Sequence, residues 1–479
     1  MDNRENYVNP LTQRYASGEM SYLFSPVFKY QTWRKLWIAL AESEKELGLD
    51  ITDEQIRQMK QVLGNFDWEK IAGYEKDTRH EVIAHIHGYG DQAPEAKAII
   101  HLGATSAYVM DNGDIIQYRE ALLLVKKRLV NVMKKLADFA EKTKNIPCLG
   151  FTHFQPAQLT TVGKRACLWL QDLVLDYEDL CYRLEHLPLR GVKGTTGTQA
   201  SFMKLFNGDH DKVKRLEKMV CGKMGFQEAI PVSGQTYTRK IDYQILSVLS
   251  SIAQSASKFA NDMRLLMNLK ELEEPFETKQ VGSSAMPYKR NPMRSERINS
   301  LARMVITAEL NAAQTQAAQW LERTLDDSAN KRIVISESFL AIDGILLIYD
   351  NIASGIVVYD KVIEKNIERE LPFMATEDIM MEAVKRGKSR QDVHEAIREI
   401  SHEVTKKIKI EGKNNDLIEK IIDDKRIGLD ENTIKDILKV ENFIGRAPVQ
   451  VSDFINGVLT PIMNKEKELL ENKITIINV

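Results

Sequence analysis

Residues 339–358 read FLAIDGILLIYDNIASGIVV, and charge appears in that run only at Asp343 and Asp350. At helical spacing its apolar residues fall on every side. A helix that is apolar all round has to be buried all round. A second stretch, ALLLVKKRLVNVMKKLADFAEK at 121–142, adds a continuous stripe. Leu122, Val125, Leu129, Val132, Leu136 and Phe139 recur at alternating steps of three and four, with lysines and arginines between them. Long helical patterns also cover roughly 157–187, 235–271, 292–320 and 327–359. Helices of that length point to a bundle. About five of them from one chain cannot cover one another so fully, so the pattern predicts that copies associate through the bundle.

On either side the texture changes. Residues 1–111 mix short helical patterns with breakers, as in NPLTQRYASGEMSYLFSP and HLGATSAYVMDNGD. Pro372, in ERELPFMATED, marks another boundary, after which the chain is more charged and its patterns shorter. No convincing run of alternating strand residues, no internal repeat and no low-complexity tract is found. The expected fold class is all-α, with an N-terminal helical domain over 1–111, a central long-helix bundle over 112–364 and a C-terminal helical domain over 365–479.

The formal net charge is −2, which argues against a nucleic-acid partner, since polyanion binders carry a basic excess. Cys148, Cys167, Cys181 and Cys221 form no C-x-x-C pair and read as free thiols in a reducing compartment. The opening MDNRENYVNPLTQRYAS has no apolar core of a signal peptide, and no apolar run reaches the roughly 18 residues of a membrane helix. The expected location is therefore cytoplasmic, away from membranes.

Several stretches carry chemistry. VGSSAMPYKRNPMRSER, at 281–297, breaks the helical texture with glycine, serines and prolines and then concentrates Lys289, Arg290, Arg294 and Arg297. TRHEVIAHIH holds His80, His85 and His87, but His80 and His85 are five apart rather than the four that puts two zinc ligands on one helix face. No third ligand is evident, so no metal is expected. In CLGFTHFQPAQLTTVGKR, Pro156 suits the first turn of a helix. That would put His153 just before a helix N-terminus, where anions are attracted, and a structural role there is as reasonable as a proton donor. Arg323, Ser328, Lys331 and Arg332 sit near the start of another long helix, as Thr105, Ser106 and Gln235 do elsewhere. Polar residues at helix starts are usually caps. Neither a phosphate-binding glycine loop nor a dinucleotide fingerprint occurs.

GSSAMPYKRNP resembles the signature loop of the fumarase/aspartase superfamily, a G-S-S-x-M-P-x-K-x-N pattern too long to arise by chance. Within it, the remaining blocks resemble the adenylosuccinate lyase family of the animal-like type. They are TRHEVIAHIH, LGATSAYVMDN, GFTHFQPAQLTTVGKR, SGQTYTRK and RTLDDSANKR, in the expected order, and QDVHE at 391–395 matches its C-terminal domain. ITIINV, at 474–479, matches nothing.

The resemblance implies β-elimination of fumarate from adenylosuccinate, giving AMP, and from the succinylated aminoimidazole carboxamide ribotide (SAICAR), giving AICAR, in purine biosynthesis. No cofactor is implied. Ser283 would be the base and His153 the general acid, with Lys289 and Asn291 holding the fumarate-forming end and His80 orienting substrate near its phosphate. The family's substrate contacts carry over to Arg14, Tyr15, Arg79, Thr105 and Ser106. They carry over as well to Thr152, Gln235, Arg297, Ser328 and Arg332. A basic loop fits a substrate with a phosphate and two carboxylates, and its glycine and serines suit a segment that closes over it. The resemblance further implies a homotetramer in which three subunits build each site. Two alternatives stand beside it: another superfamily enzyme, such as argininosuccinate lyase or fumarase, and a non-enzymatic protein that has kept the fold.

Overall fold

The computed structural model describes residues 6–277 and 280–471, and the ITIINV stretch lies outside them. A five-residue π-helix, Leu11–Tyr15, leads into α1 (Gly18–Leu23) and α2 (Pro26–Glu46). Then come α3 (Asp53–Gln61), α4 (Trp68–Thr78) and α5 (Glu81–Gln92). Ser17, Ser25, Thr52 and Asp67 each cap the helix that follows, accepting a hydrogen bond from its third N–H.

The bundle consists of α6 (Ser106–Thr143), α7 (Val162–Glu185), α10 (Lys240–Asn268), α11 (Met293–Ala317) and α12 (Asp327–Gly355). Two shorter helices, α8 (Ala200–Leu205) and α9 (His210–Lys223), lie between α7 and α10. α10 packs chiefly on α11, α6 on α7, and α12 on both α6 and α11. The predicted stripe from Leu122 to Phe139 is buried throughout. Between Phe339 and Ala353, every residue of α12 except Leu347 is buried within this one chain. The helix that suggested association is thus already covered. Apolar side chains left outside on the neighbouring bundle helices include Leu168, Leu175 and Tyr182, seven apart on α7, with Leu265 on α10 and Leu310 on α11.

Strands do occur, contrary to the sequence reading. β1 (Pro147–Thr152) and β2 (Gln155–Thr161) pair as an antiparallel hairpin, and β3 (Leu272–Glu273) pairs with β4 (Val357–Val358). The alternation that betrays a strand is missing because the register slips between Leu149 and Phe151. Gly150 sits at that slip, where a Cβ would lie 2.7 Å from the Gln158 carbonyl oxygen. The helix expected from Pro156 starts at Val162 instead.

Past α12, the chain forms α13 (Asp360–Met374), with Pro372 in its last turn, then α14 (Thr376–Lys385), α15 (Arg390–Glu411), α16 (Leu417–Asp423) and α17 (Glu431–Ile437). α13 packs Ile363, Ile367 and Leu371 into the main core, whereas α14 to α17 bury a small core of their own, from Ala375 to Ile434. The final helices, α18 (Ala447–Phe454) and α19 (Thr460–Lys465), return to the bundle, where Val451, Leu459 and Met463 join the main core.

Candidate active site

A cavity of about 600 Å³ opens where α5, α6, α10 and α12 begin. Each of these helices presents first-turn or capping residues to it: His80 and Glu81, Thr105 and Ser106, Arg239, and Asp327 and Ser328. Unpaired N–H groups and the positive end of the helix dipole gather at such termini, so four together favour a bound anion.

The joint between α4 and α5 sets the histidine. Arg79 closes α4 in the left-handed conformation, φ 52°, and the extended His80 caps α5 with Nδ1 accepting from the Ile83 N–H at 3.3 Å. That turns Nε2 towards the Ser106 hydroxyl, 3.3 Å away. The next residue, Glu81, accepts from Lys29 at 2.6 Å, from the Tyr30 hydroxyl at 2.8 Å and from Arg332 at 3.1 Å. Burial pushes the Glu81 carboxyl up, but the Lys29 charge and these hydrogen bonds outweigh it and hold it below the ordinary glutamate value. His85 does not face the cavity. It stacks on Tyr30, ring centroids 3.7 Å apart, and burial lowers its pKa to about 4.

Behind the cavity lies a buried ionic network that pins the helix starts together. Arg239 donates to Asp327 at 2.6 Å and to Asp111 at 3.3 Å. Lys331 reaches Asp114 at 2.9 Å and donates to the Tyr237 hydroxyl at 2.7 Å, which donates to Asp242 at 2.5 Å. Burial raises the Asp111 carboxyl, but Arg239, Lys331 and Arg190 reverse the shift and lower it. For Asp242, burial prevails and its pKa is raised.

Of the residues expected at a site, this cavity gathers Arg79, His80, Thr105, Ser106, Gln235, Ser328 and Arg332. Its lining leaves out Arg14, Tyr15, Thr152, His153, Ser283, Lys289, Asn291 and Arg297. His153 and Phe154 form the exposed tip of the β1–β2 hairpin, with φ 53° and 56°, a turn that favours glycine or asparagine. His153 therefore stands nine positions before α7, and the helix-terminus environment expected for it does not arise. Ser283, Lys289 and Asn291 belong to the loop between α10 and α11, and Arg297 lies in the second turn of α11. Glu274 ties down the end of that loop, accepting from the Ser295 N–H at 2.7 Å and from the Arg294 N–H at 3.1 Å. Asn291 donates to the Gly282 carbonyl at 2.8 Å. Gly282 has a packing reason to be glycine, because a Cβ there would lie 2.2 Å from the Lys289 carbonyl oxygen. Ser283 Oγ accepts from the Met286 N–H at 3.1 Å.

Helix length separates the two groups. α6 starts at the cavity and ends at Thr143, just before the hairpin, 38 residues or roughly 57 Å on. Folded straight back, a six-residue strand would recover only about 20 Å of that. α10 starts at the cavity and runs 29 residues, roughly 43 Å, to the serine loop; α11 then returns towards the turn that carries Arg323 and Leu325. Lys29, Glu81, Asp114 and Arg239 line the cavity without having been singled out from the sequence. Glu81 and Arg239 stood inside quoted blocks, TRHE and TYTRK; Lys29 carried no local signal.

Residues 24–307 match the family described as Lyase, and residues 372–454 match the one described as Adenylosuccinate lyase C-terminus. The adenylosuccinate lyase of Saccharomyces cerevisiae is 50% identical over 100% of both chains. That of Schizosaccharomyces pombe is 50% identical over 99% of this chain and all of its own. That of Caenorhabditis briggsae is 40% identical over 96% of each. Two solved structures share the fold at low identity. The 3-carboxy-cis,cis-muconate lactonizing enzyme of Pseudomonas putida has 22% identity, a TM-score of 0.82, and covers 94% of this chain and all of its own. A fumarate lyase from Mesorhizobium sp. BNC1 has 21% identity and a TM-score of 0.79 at the same coverage. With full-length identity of 50% and both halves matched, the chain belongs to the adenylosuccinate lyase family.

Proposed function

We propose that this chain releases fumarate by β-elimination from adenylosuccinate, giving AMP, and from SAICAR, giving AICAR, without metal or cofactor, as a cytoplasmic homotetramer. The observation that carries the reading is the division of the candidate residues between two ends of one bundle. The cavity end offers four helix starts and the Arg79 side chain to an anion, with Lys29 and Arg332 alongside on Glu81 and Arg323 on Asp327. His153, Ser283 and Lys289 stand at the other end. A second copy lying antiparallel along the exposed α7 stripe would bring one chain's hairpin and loop to another chain's cavity.

In such a site the phosphate sits among the helix starts and the succinyl carboxylates meet Lys289 and Asn291. Removing a proton beside a carboxylate builds charge on it, and placed cations and N–H donors stabilise that charge. Ser283 takes the proton from carbon, the C–H electrons form the new double bond, and the C–N bond breaks towards a nitrogen that receives a proton from His153. A serine base works as its alkoxide. The Met286 N–H already directed at Ser283 Oγ, at 3.1 Å, favours that form, and Lys289 adds positive charge once the loop meets substrate. Each proton transfer contributes about 10²–10⁴-fold. Mixing the pure protein with adenylosuccinate and following the fall in ultraviolet absorbance as AMP forms tests the reading; no change at any substrate concentration refutes it.

A further inference from the structure

Asp343 is a carboxylate with 0% exposure in the middle of the most apolar of the long bundle helices. Burying a carboxylate is costly unless its oxygens are well occupied. Here Oδ2 accepts the backbone N–H of Ser17 at 2.6 Å, and Oδ1 faces Arg128 Nε at 3.4 Å. Arg128 in turn pairs with Glu19 on α1. The adjacent Gly344 supports the same segment, since a Cβ on it would lie 2.9 Å from Tyr15 Cβ and 3.2 Å from the Tyr15 carbonyl. Two turns earlier on α12, Glu337 accepts from the Asn9 side chain at 3.0 Å. These contacts strap residues 9–17 along α12.

The strap runs beside the cavity. Its Asn9 anchor, Glu337, follows Ser336, which lines it, and beyond Ser17 α1 leads to Phe24, a lining residue that rests on Phe339 with centroids 5.4 Å apart. Between the anchors the strap turns through the π-helix Leu11–Tyr15, closed by the Ala16 N–H on the Leu11 carbonyl at 2.8 Å. Such turns are rare and concentrate at functional sites. Arg14 stands exposed in it. We infer that Asp343 is a positioning residue that, with Gly344, clasps this strap to α12 and so presents Arg14 and Tyr15 to substrate. The inference rests on the reading of Arg14 and Tyr15 as substrate contacts.

Asp343→Ala removes both contacts, whereas Asp343→Asn keeps an acceptor oxygen for Ser17. The first should raise KM for adenylosuccinate roughly tenfold or more with kcat within about threefold, and the second should stay within about threefold of wild type in both. Trypsin cleavage after Arg14 should speed up in Asp343→Ala while the melting temperature of the remainder holds. Should Asp343→Ala fail to fold, Gly344→Ala decides. Alanine is the better helix former, so a raised KM and faster cleavage there can come only from displacing Tyr15. Wild-type KM and unchanged cleavage in the folded variants overturn the clasp, as does a fall in kcat at constant KM. Arg14→Ala separates the premise: if it keeps the wild-type KM while Asp343→Ala speeds cleavage, the substrate contact falls and the clasp does not.

Discussion

Glu44, on α2, is 0% exposed, neither carboxylate oxygen has a hydrogen-bond partner, and burial raises its pKa from 4.5 to about 9. In the unfolded chain it ionises at the ordinary value; in the fold it keeps its proton until about pH 9. Between those limits the folded state binds one more proton than the unfolded state, so stability falls as pH rises, by about 1.4 kcal/mol per unit. The loss begins above pH 4.5, is complete beyond about pH 9, and amounts to about 3 kcal/mol at pH 7. Glu44→Gln keeps the volume and cannot ionise. Its stability relative to wild type should therefore grow by about 3 kcal/mol between pH 6 and pH 8. Urea midpoints followed by circular dichroism at pH 6, 7 and 8, at one protein concentration because association shifts apparent stability, would measure the difference. The expected slope needs only a folded pKa above 8. If the two proteins run parallel across that range, Glu44 ionises within the fold and the reasoning fails.

Three further outcomes follow from the site. Arg239→Met leaves Asp111 and Asp327 buried without their shared cation and should cost about 3–5 kcal/mol, read from urea midpoints. Prolonged EDTA treatment should leave turnover of adenylosuccinate unchanged; loss of activity restored by zinc would contradict the metal-free mechanism. Sedimentation at micromolar concentration should give about four times 54.7 kDa, and an active monomer would end the shared-site reading.

What was legible in the sequence follows from burial. The long helices could be read because their apolar residues repeat with the helix period and are buried, as from Leu122 to Phe139. The hairpin could not, because Gly150 breaks its alternation and its turn is made by His153 and Phe154 rather than by Asn-Gly. Pro156 then read as a helix start, although it is an exposed residue of β2. The site blocks were legible as motifs, since His80, Ser106, Ser328 and Arg332 each lie beside a helix start. Their sorting between opposite ends of the bundle was not, because it depends on the course of α6 and α10 in space. Lys29 acquires its place through Glu81, 52 residues away, and nothing local announces it.

That sorting makes complementation the most discriminating measurement. His80 caps α5 and faces Ser106 at the start of α6, whereas His153 lies beyond the end of α6, so His80→Ala and His153→Ala should each be nearly inactive yet damage different chains' contributions to a site. In an equal mixture with free subunit exchange, chance assembly makes about a quarter of the sites whole, because each of two contributing chains is intact half the time. Activity should rise from near zero in either protein alone to about that fraction of wild type. His153→Ala with Ser283→Ala asks a finer question, since both residues lie away from the cavity end of their own chain. Recovery to the same fraction requires that they reach a site from two chains, three with the cavity's own. Recovery in the first pair alone would leave two chains per site, one supplying His153 and Ser283 together. If exchange is demonstrated by mass or fluorescence and neither pair recovers, each site is built within one chain, and α6 cannot have the course described for it.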